Sequence, residues 1–253
     1  MKHSKAELTA LFTLDGFPRS ASYEATWMLE NAMGPNAVWL AEALSQVIEL
    51  KPDTRVLDLG CGKAISSIFL AREFQLQVWA TDLWIGASEN WQRIRATNMQ
   101  ERVFPIHAEA HALPFANEFF DTLVSLDAYH YFGTGDLYLG YISQFVRSGG
   151  SIAIVVPGVL HELTDGVPAH LAPYWSWEWH SFHSPHWWRH HWEKTGLVEV
   201  VSADTIPDGW QHWLKWMEVC LDEGLPSSQQ EIEMLRADAG RTLGFTRLVA
   251  RKK

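Results

Sequence analysis

Cysteine is nearly absent: Cys61 and Cys220 are the two in 253 residues, so no disulfide framework is available to staple a small fold. Positive charge is also short. Twenty Lys and Arg stand against thirty Asp and Glu, a net charge of −10. That balance repels phosphate backbones, and no local basic patch offsets it, which excludes a nucleic-acid partner. The basic tail Arg251-Lys252-Lys253 reads as a solvated chain end. Long apolar runs are missing as well. None approaches the ~18 residues needed to cross a bilayer, and Met1 to Phe12 lacks the continuous apolar stretch of a signal peptide. These absences predict a cytoplasmic protein without stable membrane association. Repeats, low-complexity tracts and Gly/Ser linkers are lacking too, so residues 1–253 read as a single domain with one sizeable core.

What the chain has in excess is tryptophan and histidine, 14 and 12 residues, and seven histidines and six tryptophans fall between His161 and Trp192. Elsewhere the pattern is ordinary. The first 50 residues are expected to be helical, with Trp39, Leu40, Ala43, Leu44, Val47 and Ile48 at helical spacing. Gly16 to Pro35 breaks that pattern and suggests an irregular, lid-like stretch. Beyond Lys51-Pro52-Asp53, strands and helices alternate. Strands are expected at Arg55–Leu59, Gln77–Thr81, Arg102–His107, Phe120–Leu126, Ser151–Val156, Val198–Ser202 and Phe245–Ala250. Helices are expected at Ile65–Phe74, Trp91–Met99, Gly135–Val146 and Pro185–Thr195. This order predicts an α/β fold, a doubly wound, mostly parallel seven-stranded sheet with helices on both faces. Pro157–Ser184 and Pro207–Arg241 exceed what the alternation needs. They follow strands five and six, where open sheets bind ligands, and are expected to form a cap.

The first strand runs into Asp58-Leu59-Gly60-Cys61-Gly62-Lys63-Ala64 and then directly into a helix. Glycines at 60 and 62 let the backbone turn tightly and approach a ligand. A phosphate would sit well on the helix N-terminus, but Asp58 just before the loop repels phosphate and suits an ammonium group. An amino-acid-bearing nucleoside therefore fits better than a dinucleotide. The second strand ends on Asp82, 22 residues past Gly60, a carboxylate suited to ribose hydroxyls.

These residues resemble the cofactor motif of the class I, Rossmann-like S-adenosylmethionine (SAM)-dependent methyltransferases of small-molecule type, an acidic residue followed by alternate glycines, with Ala64 in place of the third. Glu109-Ala110 before Leu113-Pro114-Phe115 resembles the family's adenine stretch, Phe120–Ser125 its fourth-strand motif, and Arg147–Gly150 its turn before strand five. The resemblance covers roughly residues 50–160. It implies SAM as cofactor, S-adenosylhomocysteine as product, and a division into a helical lid segment (1–50), a cofactor-binding half (51–156) and cap segments with the remaining sheet (157–253). Cofactor contacts are expected from Asp58, Gly60, Cys61, Gly62, Asp82, Leu83, Trp84, Glu109, Ala110 and Ser125. Tyr23 is expected to close over the cofactor's methionine end, since the family often uses an N-terminal lid.

In that fold the transferable methyl points past the fourth strand, at Leu126-Asp127-Ala128-Tyr129-His130-Tyr131. His130 is the expected base, Tyr129 a hydrogen-bonding partner, and Asp127 an alternative base or amine anchor. Tyr131, Trp179, His183 and His186 are expected to contact the acceptor, because aromatic faces suit a cationic amine or an apolar ring; packing of a cap over the core is the alternative for the Trp- and His-rich segment. His183, His186 and His190 also invite a metal reading, but no thiolate accompanies them, and the expectation is no metal. The predicted activity is methyl transfer to a small-molecule acceptor. The alternatives are a SAM-binding sensor or partner protein without turnover, and cyclopropane-forming lipid modification.

Overall fold

The computed structural model describes residues 2–253. Its chain begins with three short helices, α1 (Lys5–Phe12), α2 (Ala25–Glu30) and α3 (Ala37–Ser45). The first is opened by a reciprocal cap in which Glu7 N–H donates to Ser4 Oγ at 3.3 Å and Ser4 N–H to Glu7 Oε2 at 2.7 Å, satisfying two otherwise orphaned donors. Asn36 caps α3 in the same spirit, its Oδ1 accepting from Val38 and Trp39.

The sheet follows: β1 (Arg55–Leu59), α4 (Ile65–Phe74), β2 (Gln77–Asp82), α5 (Ala87–Ala96), β3 (Val103–His107), β4 (Phe120–Leu126), α6 (Tyr138–Ser143), β5 (Val146–Val159), α7 (Pro185–Glu193), β6 (Val198–Thr205), α8 (Gly209–Asp222), α9 (Gln229–Asp238) and β7 (Leu243–Lys252). Spatial order is β3-β2-β1-β4-β5-β7-β6. The pairs β1–β2, β1–β4, β2–β3 and β4–β5 are parallel, and β7 runs antiparallel to both β5 and β6. The expected doubly wound, mostly parallel seven-stranded sheet is present. Strand order reverses between β1 and β4, which opens a crevice at their carboxyl ends.

Successive residues of a strand face opposite layers, and the sheet separates two apolar cores accordingly. Val56 of β1 and Ala153 and Val155 of β5 pack with α1, α3, α4, α8 and α9, around Phe12, Trp39, Phe69 and Trp216. Leu57, Leu59, Ile152, Ile154 and Val156 face the other way, onto α6 and α7, where Trp188 and Trp192 are wholly buried. Ser184 caps α7, accepting from Trp187 N–H at 3.2 Å, and Pro185 occupies the first turn, where its missing N–H costs nothing.

Several expected boundaries move. The helix expected at Trp91–Met99 begins four residues earlier, at Ala87 after Gly86. The expected Gly135–Val146 helix shrinks to Tyr138–Ser143. Arg147–Gly150 is part of β5 rather than a turn before it, with Gly149 at φ 72° making the irregularity. β5 also runs three residues past Val156, since β7 stays paired with it as far as Val159↔Leu243. Residues 160–184 then form an irregular run containing one short 3₁₀ turn, Trp177–Ser181. Among the described residues, no helix is long and apolar enough to cross a membrane.

Candidate active site

The carboxyl ends of β1 to β4 open into one cavity of about 390 Å³. Its walls come from four loops: residues 60–63 after β1, 81–84 at the end of β2, 108–111 after β3, and 126–128 with Tyr131 and Phe132 after β4. The N-terminal chain covers it with Asn31, Met33, Gly34, Pro35 and Ala37.

The loop after β1 is held from the neighbouring strand. Gly60 and Cys61 N–H both donate to the Thr81 carbonyl, at 2.8 and 3.1 Å. Gly60 has φ 76°, and a Cβ there would stand 2.4 Å from that of Ala128, so conformation and space both demand glycine. Ala64 enters α4 with φ 60°, a left-handed conformation costing ~1 kcal/mol for an L-residue. That strain marks the position where the family's third glycine is missing.

Asp82 ties the two loops together. Its Oδ1 accepts from Trp84 and Ile85 N–H at 2.7 and 2.9 Å, and its Oδ2 from Gly62 N–H at 2.8 Å. A carboxylate offers about four acceptor sites, so one remains for a ligand on the cavity side. The expectation that Asp82 serves two ribose hydroxyls is reduced accordingly to one. Leu83 and Trp84 stand exposed on the same wall. Glu109 accepts from His111 N–H at 2.8 Å and faces His111 Nδ1 at 2.8 Å, and these bonds hold its carboxyl below the usual range. Ala110 completes that wall.

Other expected contacts lie elsewhere. Asp58 is fully buried behind the loop, its Oδ2 accepting from Ser66 and Ser67 Oγ at 2.6 and 2.7 Å while Oδ1 has no partner. Burial pushes its carboxyl up to about 6. Asp58 therefore braces the start of α4 and does not form part of the cavity wall. Ser125 is buried too, its Oγ donating to the Leu59 carbonyl at 2.7 Å, which stitches β4 to β1. Tyr23 donates to Glu73 at 3.0 Å and packs on Phe69 beneath Arg72, so it anchors the N-terminal segment against α4. Covering the cavity falls instead to residues 31–35.

Tyr129, His130 and Tyr131 form one 3₁₀ turn, whose three residues per turn send neighbouring side chains in three directions. Tyr131 reaches the cavity. Tyr129 turns inward, wholly buried against Trp188, Trp192 and Tyr138, with its hydroxyl unpartnered. His130 is 3% exposed, meets the tilted Tyr131 ring at 4.0 Å between centroids and lies off the cavity wall. Burial pulls its imidazole down to about 4, so at neutral pH it is uncharged and a weak base. Asp127 is the group brought into the cavity. It holds φ 54°, with its N–H donating to the Val155 carbonyl at 2.8 Å. Burial, then the Glu231 charge, push its carboxyl well above the usual range.

None of the expected cap contacts reaches the wall. Trp179 stacks on Phe182, His183 stacks on Trp187 at 3.6 Å and meets Glu162, and His186 is exposed. Much of the aromatic excess of this segment is spent on packing, while Trp177 stays exposed. Among the described residues, no group of three metal-ligating side chains is placed to hold a metal ion.

Residues 56–150 match the sequence profile of a methyltransferase domain. The matched segment runs from β1 to the start of β5. The chain is 26% identical over 132 residues to methyltransferase GfsG of Streptomyces halstedii, a match covering 51% of the chain and 48% of that relative. It thus spans about half the length of the curated relative it matches. Its fold is shared by phosphoethanolamine N-methyltransferase 2 of Haemonchus contortus, solved with SAM (TM-score 0.69, 18% identity, covering 97% of this chain and 60% of that one). Geranyl diphosphate C-methyltransferase of Streptomyces coelicolor, solved with Mg²⁺, geranyl diphosphate and S-adenosylhomocysteine, shares it too (0.65, 16%, 86% and 77%). So does the [4+2]-cyclase SpnF (0.65, 15%, 86% and 81%). The methyltransferase fold thus accompanies more than one chemistry.

Residues that sequence reasoning passed over are Asn31, Met33, Gly34 and Pro35 in the cover, and Thr81, His111 and Phe132 in the walls. The Gly34-Pro35 break was the available signal for the first group.

Proposed function

We propose that this cavity holds SAM and directs its methyl group to a small-molecule acceptor. The observation that carries the reading is that the Gly60–Gly62 loop, Asp82 and Glu109-Ala110 share one cavity at the point where strand order reverses. One buried polar atom without a partner on the cavity's lining, Thr81 Oγ1, borders that loop, and such atoms ordinarily find a ligand or water. When bound, SAM supplies an electrophilic methyl group on a sulfonium. Asp82 accepts a ribose hydroxyl at its open site, Leu83 flanks the adenine, and Glu109 with the Ala110 N–H meets the adenine edge. Asp58 contributes negative charge toward the ammonium group from behind the loop.

In-line displacement needs alignment and water exclusion more than a protein nucleophile. Residues 31–35 exclude water from above. A base is needed when the acceptor holds its proton at working pH. Asp127 fits that role better than His130, because it stands on the cavity wall with its carboxyl raised well above the usual range, while the His130 imidazole lies off the wall and is lowered. Tyr131, pushed up to about 12, stays protonated and donates.

A second reading, SAM binding without methyl transfer, draws support from the cyclase that shares the fold. Cyclopropane-forming lipid modification draws less, since a carboxylate such as Asp127 is costly beside an acyl chain. The experiment is incubation with SAM and fractionated metabolite pools, with S-adenosylhomocysteine followed by mass spectrometry. Acceptor-dependent formation supports transfer. SAM binding without product in any pool favours the second reading.

A further inference from the structure

The acceptor side of the cavity is chemically one-sided. Asp127 stands on its wall, and no protein N–H or O–H donates to its carboxylate among the described residues. The groups that act electrostatically on Asp127 and on its neighbour Tyr131 are carboxylates throughout: Glu231 on the first, and Asp127, Glu178 and Glu231 on the second. Lys63, the lysine on the wall, answers to Arg93 and Glu89 and donates to the Glu30 carbonyl at 3.4 Å. It does not neutralise Asp127.

The cover is fitted to this carboxylate. Gly34 passes over it with φ 67°, and a Cβ at Gly34 would lie 2.5 Å from Asp127 Oδ2. Glycine is therefore required there, and the chain is held in place by Trp216 Nε1, which donates to the Gly34 carbonyl at 2.8 Å. Beside the carboxylate, two large rings are left uncovered. Tyr131 is 66% and Trp84 70% exposed, their centroids 6.2 Å apart on the same cavity. Exposed rings of this size on one wall mark a binding surface. An unpartnered carboxylate flanked by π faces selects positive charge joined to an apolar body.

We propose that the acceptor is an amine bound as its ammonium form, with the ammonium group on the Asp127 carboxylate and its apolar body against Tyr131 and Trp84. This rests on the methyltransferase reading above. A proton then moves from nitrogen to the Asp127 carboxylate oxygen, which leaves the nitrogen lone pair free. The same carboxylate therefore recognises the amine and prepares it.

The test uses phenethylamine and its neutral near-isostere 2-phenylethanol as probes, titrated into the full chain with and without S-adenosylhomocysteine. Phenethylamine should bind at least ~10-fold more tightly, the gain expected of one charge-assisted contact. Asp127→Asn should erase that difference while S-adenosylhomocysteine affinity stays within about threefold of wild type. Asparagine tolerates the left-handed backbone at 127, so the variant should fold. Gly34→Ala, which presses a methyl onto the unaltered carboxylate, is the second variant and should weaken the amine selectively. Equal binding of the two probes overturns the proposal. So does a loss of S-adenosylhomocysteine affinity in Asp127→Asn, which would assign the carboxylate to the cofactor's own ammonium. If S-adenosylhomocysteine fails to bind wild type, the methyltransferase reading falls, and the amine comparison on the ligand-free protein still decides this proposal.

Discussion

Asp58 offers the sharpest energetic test, because its carboxylate is buried without a cation. Two serine hydroxyls stabilise Oδ2, yet Oδ1 is bare, and burial with the nearby Asp82 charge outweighs the serines. The folded-state value is about 6 against an ordinary 3.8. A proton is thus held more tightly in the folded chain than in the unfolded one. The associated stability is fully present below pH ~3.8 and is lost as pH rises through about 6, totalling ~3 kcal/mol. Between pH ~4.5 and ~7.5, the two-state titration formula gives a loss of ~2 kcal/mol. Asp58→Asn does not titrate. Its unpaired amide N–H carries a constant cost of ~1–3 kcal/mol, which cancels when the two pH values are compared. The variant should therefore gain ~2 kcal/mol on wild type between those pH values, or ~4–8 °C in relative Tm for a chain of this size. Urea and thermal unfolding of both proteins at both pH values measures it. A stability gap that is independent of pH, or that moves the other way, refutes the claim that Asp58 is charged and uncompensated.

Other expectations follow from the packing. Tyr129→Phe removes a buried, unpartnered hydroxyl and should stabilise the fold by up to ~1 kcal/mol without changing SAM affinity; reduced SAM affinity in equilibrium titration would return Tyr129 to the site. Gly60→Ala must move Ala128 and strain a left-handed backbone, and should cost ~2 kcal/mol or more in urea unfolding, along with most SAM binding; wild-type behaviour would show that the loop is not as tightly fixed as described. Exhaustive chelation should leave SAM affinity unchanged, and elemental analysis giving about one metal per chain would reopen the histidine-rich segment.

The sheet was legible because parallel strands buried on both faces read as short apolar runs, and because Gly60, Gly62 and Asp82 sit where a turn and a strand end must fall. What stayed hidden depended on direction rather than position. Tyr129, His130 and Tyr131 are equivalent on paper, and the 3₁₀ turn sends one into the core, one behind its neighbour and one into the cavity. Asp58 carries the motif, yet β1 points it at α4 and the alternate residues at the opposite layer. The Trp- and His-rich segment drew attention by composition, but Trp188 and Trp192 are buried against Tyr129 while His183 and Trp187 stack on each other. Aromatic density alone does not separate a packed cap from a pocket. The cover was foreshadowed by the break at Gly34-Pro35, whereas Tyr23 was chosen for its chemistry and proves to be an anchor.

The central claim, that the cavity between β1 and β4 is a SAM site organised by Asp82, is tested most directly by calorimetric titration of SAM into wild type and Asp82→Ala. The account predicts one SAM per chain in wild type and a loss of ~1–3 kcal/mol of binding free energy in the folded variant, whose loop N–H groups and ligand hydroxyl lose their common acceptor. No binding to wild type, or equal affinity in the two proteins, would contradict it.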